Sequence, residues 1–418
     1  MTSFAVQPIL ESPNGSAPER IRLDTISIRD FRNLERVDLT LPADGVAIIG
    51  DNGHGKTNLL EAIYYLQILR SIRDARDQDL TRFDTAGFHI AAKAHTPDQH
   101  EIGVGFERAT KRKKVMVDGS QPKRLSDALG SLPSVMFSPR DLELVSGAPS
   151  ERRRYLDLVL ALTDRKYLHA LQHYRFNLAR RNAALRNATR RGASDAQVSV
   201  WEPALAEHGS RLIEGRARWV ADSAPEFASL AESIGEQGRA QIRYVSPFAG
   251  SEARYDVLLA AFEEKRPLDM RRGLTHVGPH RDDLELTLDG RDLRLFGSAG
   301  QQRTAAIALR MLEAATLRDH AGAEPVLLLD DPFAELDIRR AARILVMLEK
   351  RGLGQTILVV PREADIPPGL TRLDRLEMRN GAVTEMVPRA LKKAQTVAGP
   401  ITTPTPTLAG TPRGALHV

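Results

Sequence analysis

A glycine-rich segment near the start of the chain has the residue types and spacing for phosphate chemistry. It consists of Gly50, Asp51, Asn52, Gly53, His54, Gly55, Lys56 and Thr57, which match the pattern G-x-x-x-x-G-K-[ST]. In such a loop, glycines let backbone N–H groups point at phosphate oxygens, the lysine reaches the β and γ phosphates, and the threonine hydroxyl ligates Mg²⁺. The pattern predicts a site for ATP or another nucleoside triphosphate.

Two adjacent carboxylates, Asp330 and Asp331, follow three consecutive leucines near the other end of the chain. A short apolar run predicts a buried strand, and the carboxyl end of a parallel strand opens into the ligand crevice of its sheet. We predict that Asp330 holds Mg²⁺ together with Thr57. Asp331 is predicted to polarise the attacking water, so that Asp331 and Lys56 are the catalytic residues.

Elements of the expected type surround both segments. A buried strand over 45–49 enters the glycine loop, and apolar residues at helical spacing follow Thr57. Further patterns predict a hairpin turn at 115–119, a strand over 283–290 and a helix over 301–317. They also predict a strand over 325–330, a helix over 338–351 and a strand over 356–360.

About 270 residues separate Lys56 from Asp330, so a large insertion must fold between the two halves of the nucleotide core. The pattern from 139 to 235 is helical. Within it, the segment 151–191 is read as a helix with eleven Lys/Arg against three Asp/Glu. No Asn-Lys-x-Asp element, which would read guanine, is present.

Composition sets broader limits. A chain of 418 residues, 42% hydrophobic, can bury a sizeable core, and no apolar run reaches eighteen residues, so no membrane span is expected. Zero cysteines exclude disulfides and agree with a cytoplasmic protein. A net charge of +5 and a pI of about 9.4 favour polyanionic partners. Residues 1–19 and the tail from about 388 are predicted to be disordered.

Ser298, Gly300 and Gln301 stand about thirty residues before Asp330 and open the predicted helix. Here the chain resembles the ATP-binding-cassette superfamily, whose Ser-x-Gly-Gln element caps the γ-phosphate bound by a second subunit. The resemblance implies that two chains sandwich two ATP molecules. It places a serine hydroxyl, glycine N–H groups and a helix start against an anion.

The resemblance narrows to the RecF family of bacterial recombination-repair proteins. The motifs that carry it are colinear across residues 21 to about 386: they are 30–34, 50–66, 71–73, 137–139, 141–157, 277–283, 300–304 and 327–331. It implies an ATP-dependent DNA-binding protein that dimerises on DNA near single-strand gaps. It also implies action with RecR and RecO in recombinase loading, replication-fork repair and the SOS response.

The chain differs from the family pattern at Arg140, where an acidic residue is common, and at Ala334, where serine is common. The strand over 356–360 ends in Pro361, without the hydroxyl or histidine that usually senses the γ-phosphate. We therefore expect a weak, DNA-stimulated ATPase. One alternative is a nucleotide-gated DNA scaffold with negligible hydrolysis. Another is the head of a chromosome-structuring ATPase, which would need a long coiled-coil insertion.

The predicted architecture is an α/β P-loop core of the ATP-binding-cassette type with an inserted, mainly helical lobe. Residues 20–134 and 322–388 form the core, called lobe I, and residues 135–321 form the helical lobe II with the serine-glycine element. Residues 1–19 and 389–418 are extensions.

Two basic clusters are candidates for DNA phosphates or for solvated surface: Arg152, Arg153 and Arg154 in one, and Lys111, Arg112, Lys113 and Lys114 in the other. His276 and His280 have a metal-like interval, but the glycine and proline between them break any helix, so a metal site is not expected. His280, Arg281 and Asp282 are expected instead to order the lobe interface or to lie near the nucleotide of a second subunit. Arg73 either approaches the nucleotide or pairs with a local acid.

Overall fold

A computed structural model describes residues 19–96, 98–191, 195–250, 254–332, 338–350 and 354–385. The predicted C-terminal extension, the first eighteen residues and Ala334 lie outside the described residues. In the described part the strands are β1 (Arg22–Phe31), β2 (Leu34–Thr40), β3 (Gly45–Ile49), β4 (Gly87–His95), β5 (Gln99–Glu107), β6 (Arg112–Val117), β7 (Ser134–Phe137), β8 (Ala240–Val245), β9 (Asp283–Leu288), β10 (Arg291–Asp292), β11 (Val326–Asp330), β12 (Thr356–Val360), β13 (Asp374–Arg379) and β14 (Ala382–Glu385).

The helices begin with the one that follows the glycine loop. They are α1 (Lys56–Ile68), α2 (Asp77–Leu80), α3 (Glu143–Ser146), α4 (Pro149–Thr163), α5 (Arg165–Arg191), α6 (Asp195–Ser199), α7 (Glu202–Ile234), α8 (Arg254–Arg272), α9 (Leu293–Phe296), α10 (Ala299–Ala321) and α11 (Ile338–Lys350).

A six-stranded sheet in the order β14-β13-β3-β12-β11-β7 forms the centre of the nucleotide core, with all of its strands parallel except β14. Its strands β3, β11 and β12 are fully buried, as expected of parallel strands covered on both faces. Ile48, Leu328 and Val359 point into one hydrophobic core, whereas Leu329 and Leu358 point into a second. This sheet therefore separates two cores.

Helix α1 fills the space between this sheet and an antiparallel sheet in the order β2-β1-β4-β5-β6. Eleven of its thirteen residues are buried, because it has apolar neighbours on almost every side. On the other side of the parallel sheet lies the second core, formed with α4, α5, α7 and α10. A small antiparallel sheet, β10-β9-β8, belongs to this helical part.

Strand β7 lies across the boundary between core and helical lobe that the sequence predicts at residue 135. Ser134–Phe137 pairs in parallel with β11, from Val326↔Ser134 to Leu329↔Phe137, and so belongs to the central sheet. A four-residue run of this kind is too short for its period to show on the sequence.

The predicted helix over 151–191 is wrong as one element, because it is broken at Asp164. This residue has an extended backbone with φ −131°, and its carboxylate accepts hydrogen bonds from the N–H groups of Lys166 (2.7 Å) and Tyr167 (3.2 Å). Asp164 thus caps α5 directly after α4 has ended. The basic residues of this segment therefore lie on two helices with different directions.

Candidate nucleotide-binding site

The glycine loop lies between β3 and α1, where the carboxyl ends of β3, β11 and β12 meet. The register Ile49↔Val360 and Asp330↔Val359 brings these ends to one edge of the sheet. Gly55 precedes α1 with φ +106°, a conformation that favours glycine. The first helical residue is Lys56, so the loop amides and the helix N-terminus face the same space.

The loop is held in place by segments distant in the sequence. The His54 ring nitrogen Nδ1 lies 3.1 Å from the Met378 carbonyl, and the Gly381 N–H donates to the His54 carbonyl at 2.8 Å. Gly50 passes so close to β13 that a Cβ there would lie 2.3 Å from the Met378 oxygen. Asn33 adds a weak bond of 3.4 Å to the Gly53 carbonyl. The hairpin β13–β14 therefore supports the phosphate loop from behind.

Lys56 is only 8% exposed, and its Nζ donates to the carbonyls of Gly50 (2.5 Å) and Asp51 (2.9 Å). Burial lowers the pKa of its ammonium group, while Asp330 and Asp331 act in the opposite direction. The lysine is thus a buried cation in the loop, near two carboxylates. The negative oxygens of a phosphate ligand would replace the loop carbonyls as partners of this ammonium group.

Thr57 and Asp330 meet although 273 positions separate them. The Thr57 hydroxyl donates to Asp330 Oδ1 at 3.1 Å, and Asp330 is 9% exposed. Burial raises the pKa of Asp330, against the influence of Thr57, Arg73 and Lys56. Two hard oxygen ligands side by side, one of them a desolvated carboxylate, fit a Mg²⁺ ion that keeps several waters.

Asp331 lies one residue beyond the end of β11 with φ +46°, and its N–H donates to the Val359 carbonyl at 3.0 Å. It lines the same cavity as Lys56, Thr57 and Asp330. This cavity has a volume of about 670 Å³ and runs from the glycine loop along α1 towards α4 and α10. The structure therefore brings the two predicted segments together in one site.

Arg73 lines the candidate nucleotide cavity and also pairs with a local acid. Its Nε lies 3.5 Å from Glu61 of α1, which also binds Arg32 through two bonds of 3.1 Å. Its Nη2 is buried without a hydrogen-bond partner among the described residues. The Arg73 Nη2 group can therefore donate a hydrogen bond to a ligand in this cavity.

Arg310 at the inner end of the cavity was missed by the sequence reading. It is buried, and it donates to Asp141 (2.7 Å) and to Glu313 (2.6 Å). Tyr64 of α1 donates to the same glutamate at 3.5 Å. A lone arginine in an otherwise apolar stretch of α10 was the available signal, because a buried charge needs partners.

Ser298 is the N-cap of α10 and is exposed. Its hydroxyl accepts from the Gln301 N–H at 3.3 Å, and the Gln301 side chain accepts from the Ser298 N–H at 2.9 Å, which completes a capping box. Ser298, Gly300 and Gln301 are absent from the lining of the cavity that contains Lys56. The serine-glycine element therefore presents a helix start to solvent.

The basic clusters are only partly available to a ligand. Arg152, 3% exposed, forms two bonds of 2.8 Å with Asp283, so its guanidinium group is engaged within the chain. The ammonium group of Lys113 is likewise engaged by Asp77 and the Leu69 carbonyl.

The other cluster members keep reachable groups. Arg153 donates to the Asp282 carbonyl at 2.7 Å, and Arg154 binds Asp74. Lys111, Arg112 and Lys114 are exposed.

His276 and His280 belong to a buried polar network of the helical lobe. His276 Nδ1 lies 2.7 Å from Asp269, which also binds the fully buried Arg181 at 2.7 Å. His280 lies 2.7 Å from the Tyr174 hydroxyl, and burial lowers its pKa to about 4. Among the described residues no group of three or more His, Cys, Asp or Glu side chains could hold a metal ion. Nor does any described helix combine the length and apolarity needed to cross a bilayer.

Comparison with known proteins agrees with this geometry. Residues 22–384 match the family model described as RecF/RecN/SMC N terminal domain. DNA replication and repair protein RecF of Chloroflexus aurantiacus (strain ATCC 29364 / DSM 637 / Y-400-fl) is 37% identical over 388 residues, which cover 85% of this chain and 97% of that protein. The same-named protein of Salinibacter ruber (strain DSM 13855 / M31) is 33% identical over 359 residues, 83% of this chain and 87% of that protein.

Two solved structures are similar over nearly the same range. The recombination mediator protein RecF-ATP in the RecFOR pathway has a TM-score of 0.81 at 29% identity, covering 90% of this chain and 100% of that one. Its RecF-ATPrS counterpart has a TM-score of 0.80 at 29% identity, covering 89% and 100%. An Smc head domain from Pyrococcus furiosus, with a TM-score of 0.51 at 16% identity and coverage of 91% and 100%, shares the fold.

The parallel sheet, the phosphate loop and the inserted helical part together define a P-loop protein of the ATP-binding-cassette class. Within that class the identities above, over most of the chain, decide the family. The chain belongs to the RecF family of DNA replication and repair proteins. The predicted family and the predicted fold class are both confirmed.

Proposed function

We propose that this chain is an ATP- and Mg²⁺-dependent DNA-binding protein of replication and recombinational repair. The observation that carries the proposal is the meeting of Lys56, Thr57, Asp330 and Asp331 in one cavity at the carboxyl edge of the parallel sheet. Two RecF structures of the same fold are named with ATP or ATPrS, which supports ATP as the ligand.

Each residue of the site has a role that its position supports. The amides of the loop from Gly50 to Gly55 and the N-terminus of α1 receive the phosphates, and Lys56 exchanges its carbonyl partners for phosphate oxygens. Thr57 and Asp330 would hold Mg²⁺, which when bound would neutralise charge on the phosphates. Asp331 lies one residue farther and orients the attacking water.

The exposed serine-glycine element supports the proposed head-to-tail dimer. Because Ser298, Gly300 and Gln301 do not line the cavity of their own chain, they are available to close the cavity of a second copy. ATP would then favour the dimer, since its γ-phosphate is fully liganded only between two subunits. We propose lobe I and lobe II as the two moving parts, with the boundary after β7.

Hydrolysis is proposed to be slow and DNA-stimulated. Pro361 lines the cavity directly after β12 and offers no side-chain donor to a γ-phosphate. This observation also favours the second candidate function, a nucleotide-gated DNA scaffold with negligible turnover. Phosphate release with and without DNA separates the two: an ATPase loses its turnover in Asp331→Asn, whereas a scaffold shows none in either protein.

DNA, RecR and RecO are the proposed partners of this chain. The RecFOR pathway named for the solved RecF structures supports RecR and RecO as partners in gap repair, recombinase loading and SOS induction. The exposed Lys111, Arg112 and Lys114 are candidates for contact with DNA phosphates. We propose a cytoplasmic protein that binds gapped or junction DNA.

Light scattering of the full chain, with and without ATP, Mg²⁺ and gapped DNA, tests the central claim. The mass should double with ATP in the wild type and stay that of a monomer in Lys56→Ala, which removes the buried cation of the loop. The exposed Lys93 of β4 offers a matched control, and Lys93→Ala should dimerise normally. A wild-type protein that binds ATP but remains monomeric would contradict the sandwich.

A further inference from the structure

The helical lobe contains a second cavity, of about 260 Å³, between α4, α5 and α7. Arg153 and Arg154 line it from α4, Arg175 from α5 and Arg216 from α7. We call it the arginine pocket. It lies beside the nucleotide cavity, because Arg154 lines both.

The charges that line the arginine pocket are unbalanced. Four guanidinium groups face one carboxylate, Asp157, which is bound at once by Arg216 (2.8 Å) and Arg175 (2.9 Å). Burial opposes the ionisation of Asp157, but the two arginines outweigh it and its pKa lies below the usual value. Arg154 has a further partner in Asp74, outside the pocket. Positive charge remains in excess after these pairs are formed.

Burial is the largest influence on the pKa values of three neighbouring groups, and nearby arginines act in the same direction. Burial and then Arg216 lower the pKa of Arg153 against the opposing influence of Asp283, Asp282 and Asp157, and burial and then Arg154 and Arg175 lower that of Arg70. His280 lines the same pocket, and besides burial both Arg281 and Arg153 lower its pKa. His280 is neutral near pH 7, so it adds no positive charge, and its two ring nitrogens are already partnered by the Tyr174 hydroxyl (2.7 Å) and the Thr275 carbonyl (3.1 Å).

The donors available to a ligand belong mainly to Arg153 and Arg175. An arginine has five N–H donors. Among the described residues, Arg175 uses one on Asp157 and Arg153 uses one on the Asp282 carbonyl. Arg216, by contrast, is committed to Asp157, Tyr167 and the Pro279 carbonyl. The pocket thus has a fixed inner arginine and two outer arginines with spare donors.

From this arrangement we infer that the arginine pocket is a binding site for one phosphate group, held by Arg153 and Arg175 in forked hydrogen bonds. Planar guanidinium groups match phosphate oxygens in this way. The group has two possible sources, a backbone phosphate of DNA or a free phosphate ion. The first source rests on the proposed DNA-binding function. The second does not.

Arg175 is the residue to change, since its side chain is 53% exposed and the buried Asp157 keeps Arg216 as a partner when Arg175 is lost. Arg175→Gln removes the charge, and Arg175→Lys keeps it. Arg180 is a matched control: it is an exposed arginine of the same helix that stacks on Phe176 at 5.1 Å and does not line the pocket. Gel filtration of the three variants and the wild type checks folding.

The first measurement is the affinity for labelled gapped DNA in the presence of ATP across a KCl series. Loss of one phosphate contact should make the plot of log K, where K is the association constant for DNA, against log[KCl] less steep by about 1. We expect this reduction in Arg175→Gln and not in Arg175→Lys or Arg180→Gln. The second measurement is the melting temperature with and without inorganic phosphate, where a phosphate-induced rise should be lost in Arg175→Gln alone.

The outcomes decide between the sources. A change of salt slope confined to Arg175→Gln supports a DNA phosphate in the pocket. A lost phosphate-induced rise with an unchanged slope supports a site for free phosphate. If neither quantity changes, or if Arg180→Gln changes the slope equally, the pocket is not a phosphate site. Failure of the wild type to bind DNA would refute the proposed function, and the phosphate measurement would still test the pocket.

Discussion

Replacing Ser298 by aspartate should separate the two roles of this residue. In the single chain the serine caps α10, through a bond of 3.3 Å to the Gln301 N–H. Aspartate caps a helix about as well as serine, and its charge suits the positive end of the helix. The stability of the monomer should therefore change by less than about 0.5 kcal/mol, whereas Ser298→Ala should lose about 1 kcal/mol.

The effect on the proposed dimer should be much larger. A hydrogen bond to a charged group contributes about 1.5–3 kcal/mol, and a symmetric sandwich contains two such contacts with γ-phosphates. Aspartate removes both and places a carboxylate against each phosphate. Dimerisation should weaken by at least about 3–6 kcal/mol, which is roughly two to four orders of magnitude in the dissociation constant.

Sedimentation velocity with ATP and Mg²⁺ measures this directly. We expect a monomer for Ser298→Asp at concentrations where the wild type is a dimer, and a weakened dimer for Ser298→Ala. Binding of a fluorescent ATP analogue to the monomer should be the same in all three proteins, because Ser298 does not line the cavity of its own chain. If Ser298→Asp dimerises like the wild type, the serine does not face the γ-phosphate.

Three further predictions concern stability and the support of the site. Arg181→Leu removes the buried cation shared by Glu202 and Asp269 and should cost about 3–5 kcal/mol in urea unfolding, whereas the exposed Arg211→Ala should cost less than about 1 kcal/mol. Gly50→Ala pushes a Cβ to 2.3 Å from the Met378 oxygen, so it should destabilise the protein by about 1–3 kcal/mol and weaken ATP binding in a filter assay. His280 has a pKa of about 4 in the folded protein, below the unfolded value of about 6.5. Below pH 6.5 the unfolded chain therefore takes up a proton that the folded chain does not, so the free energy of unfolding decreases as the pH falls from about 6.5 towards about 4. The wild type should therefore lose about 2 kcal/mol more than His280→Gln between about pH 7 and about pH 5, and equal losses would show that this histidine does not titrate as described.

The sequence was sufficient for the parts of the site that local patterns determine. The phosphate loop lies between a buried strand and a helix, and Asp330 ends a buried strand, as predicted. Both depend on short apolar runs with charged or glycine residues at their ends. The meeting of Thr57 and Asp330 followed from the fold class, since parallel strands end at one edge.

The parts that could not be predicted depend on contacts between distant residues. The hairpin β13–β14 supports the loop through Met378 and Gly381, more than 300 positions from His54. Charged and apolar residues alternate over the second half of β13, as they do in many solvated segments, and β14 is only four residues long. Likewise, the charge pattern of the sequence does not distinguish Arg152 from Arg153. Only the packing of α4 against β9 decides that Arg152 is buried on Asp283 while its neighbour faces a cavity.

The position of Ser298 relative to its own nucleotide follows from how α10 is held. Twelve residues, or about 18 Å of helix, separate Ser298 from Arg310. Arg310 is locked to Asp141 and Glu313 in a buried network that also reaches Tyr64 of α1. Breaking such a network would cost several kcal/mol, so the middle of α10 and the phosphate-loop helix are expected to move together. The exposed start of α10 is therefore tied to the phosphate-loop helix through this network, and in the proposed dimer the γ-phosphate receives the serine of a second chain.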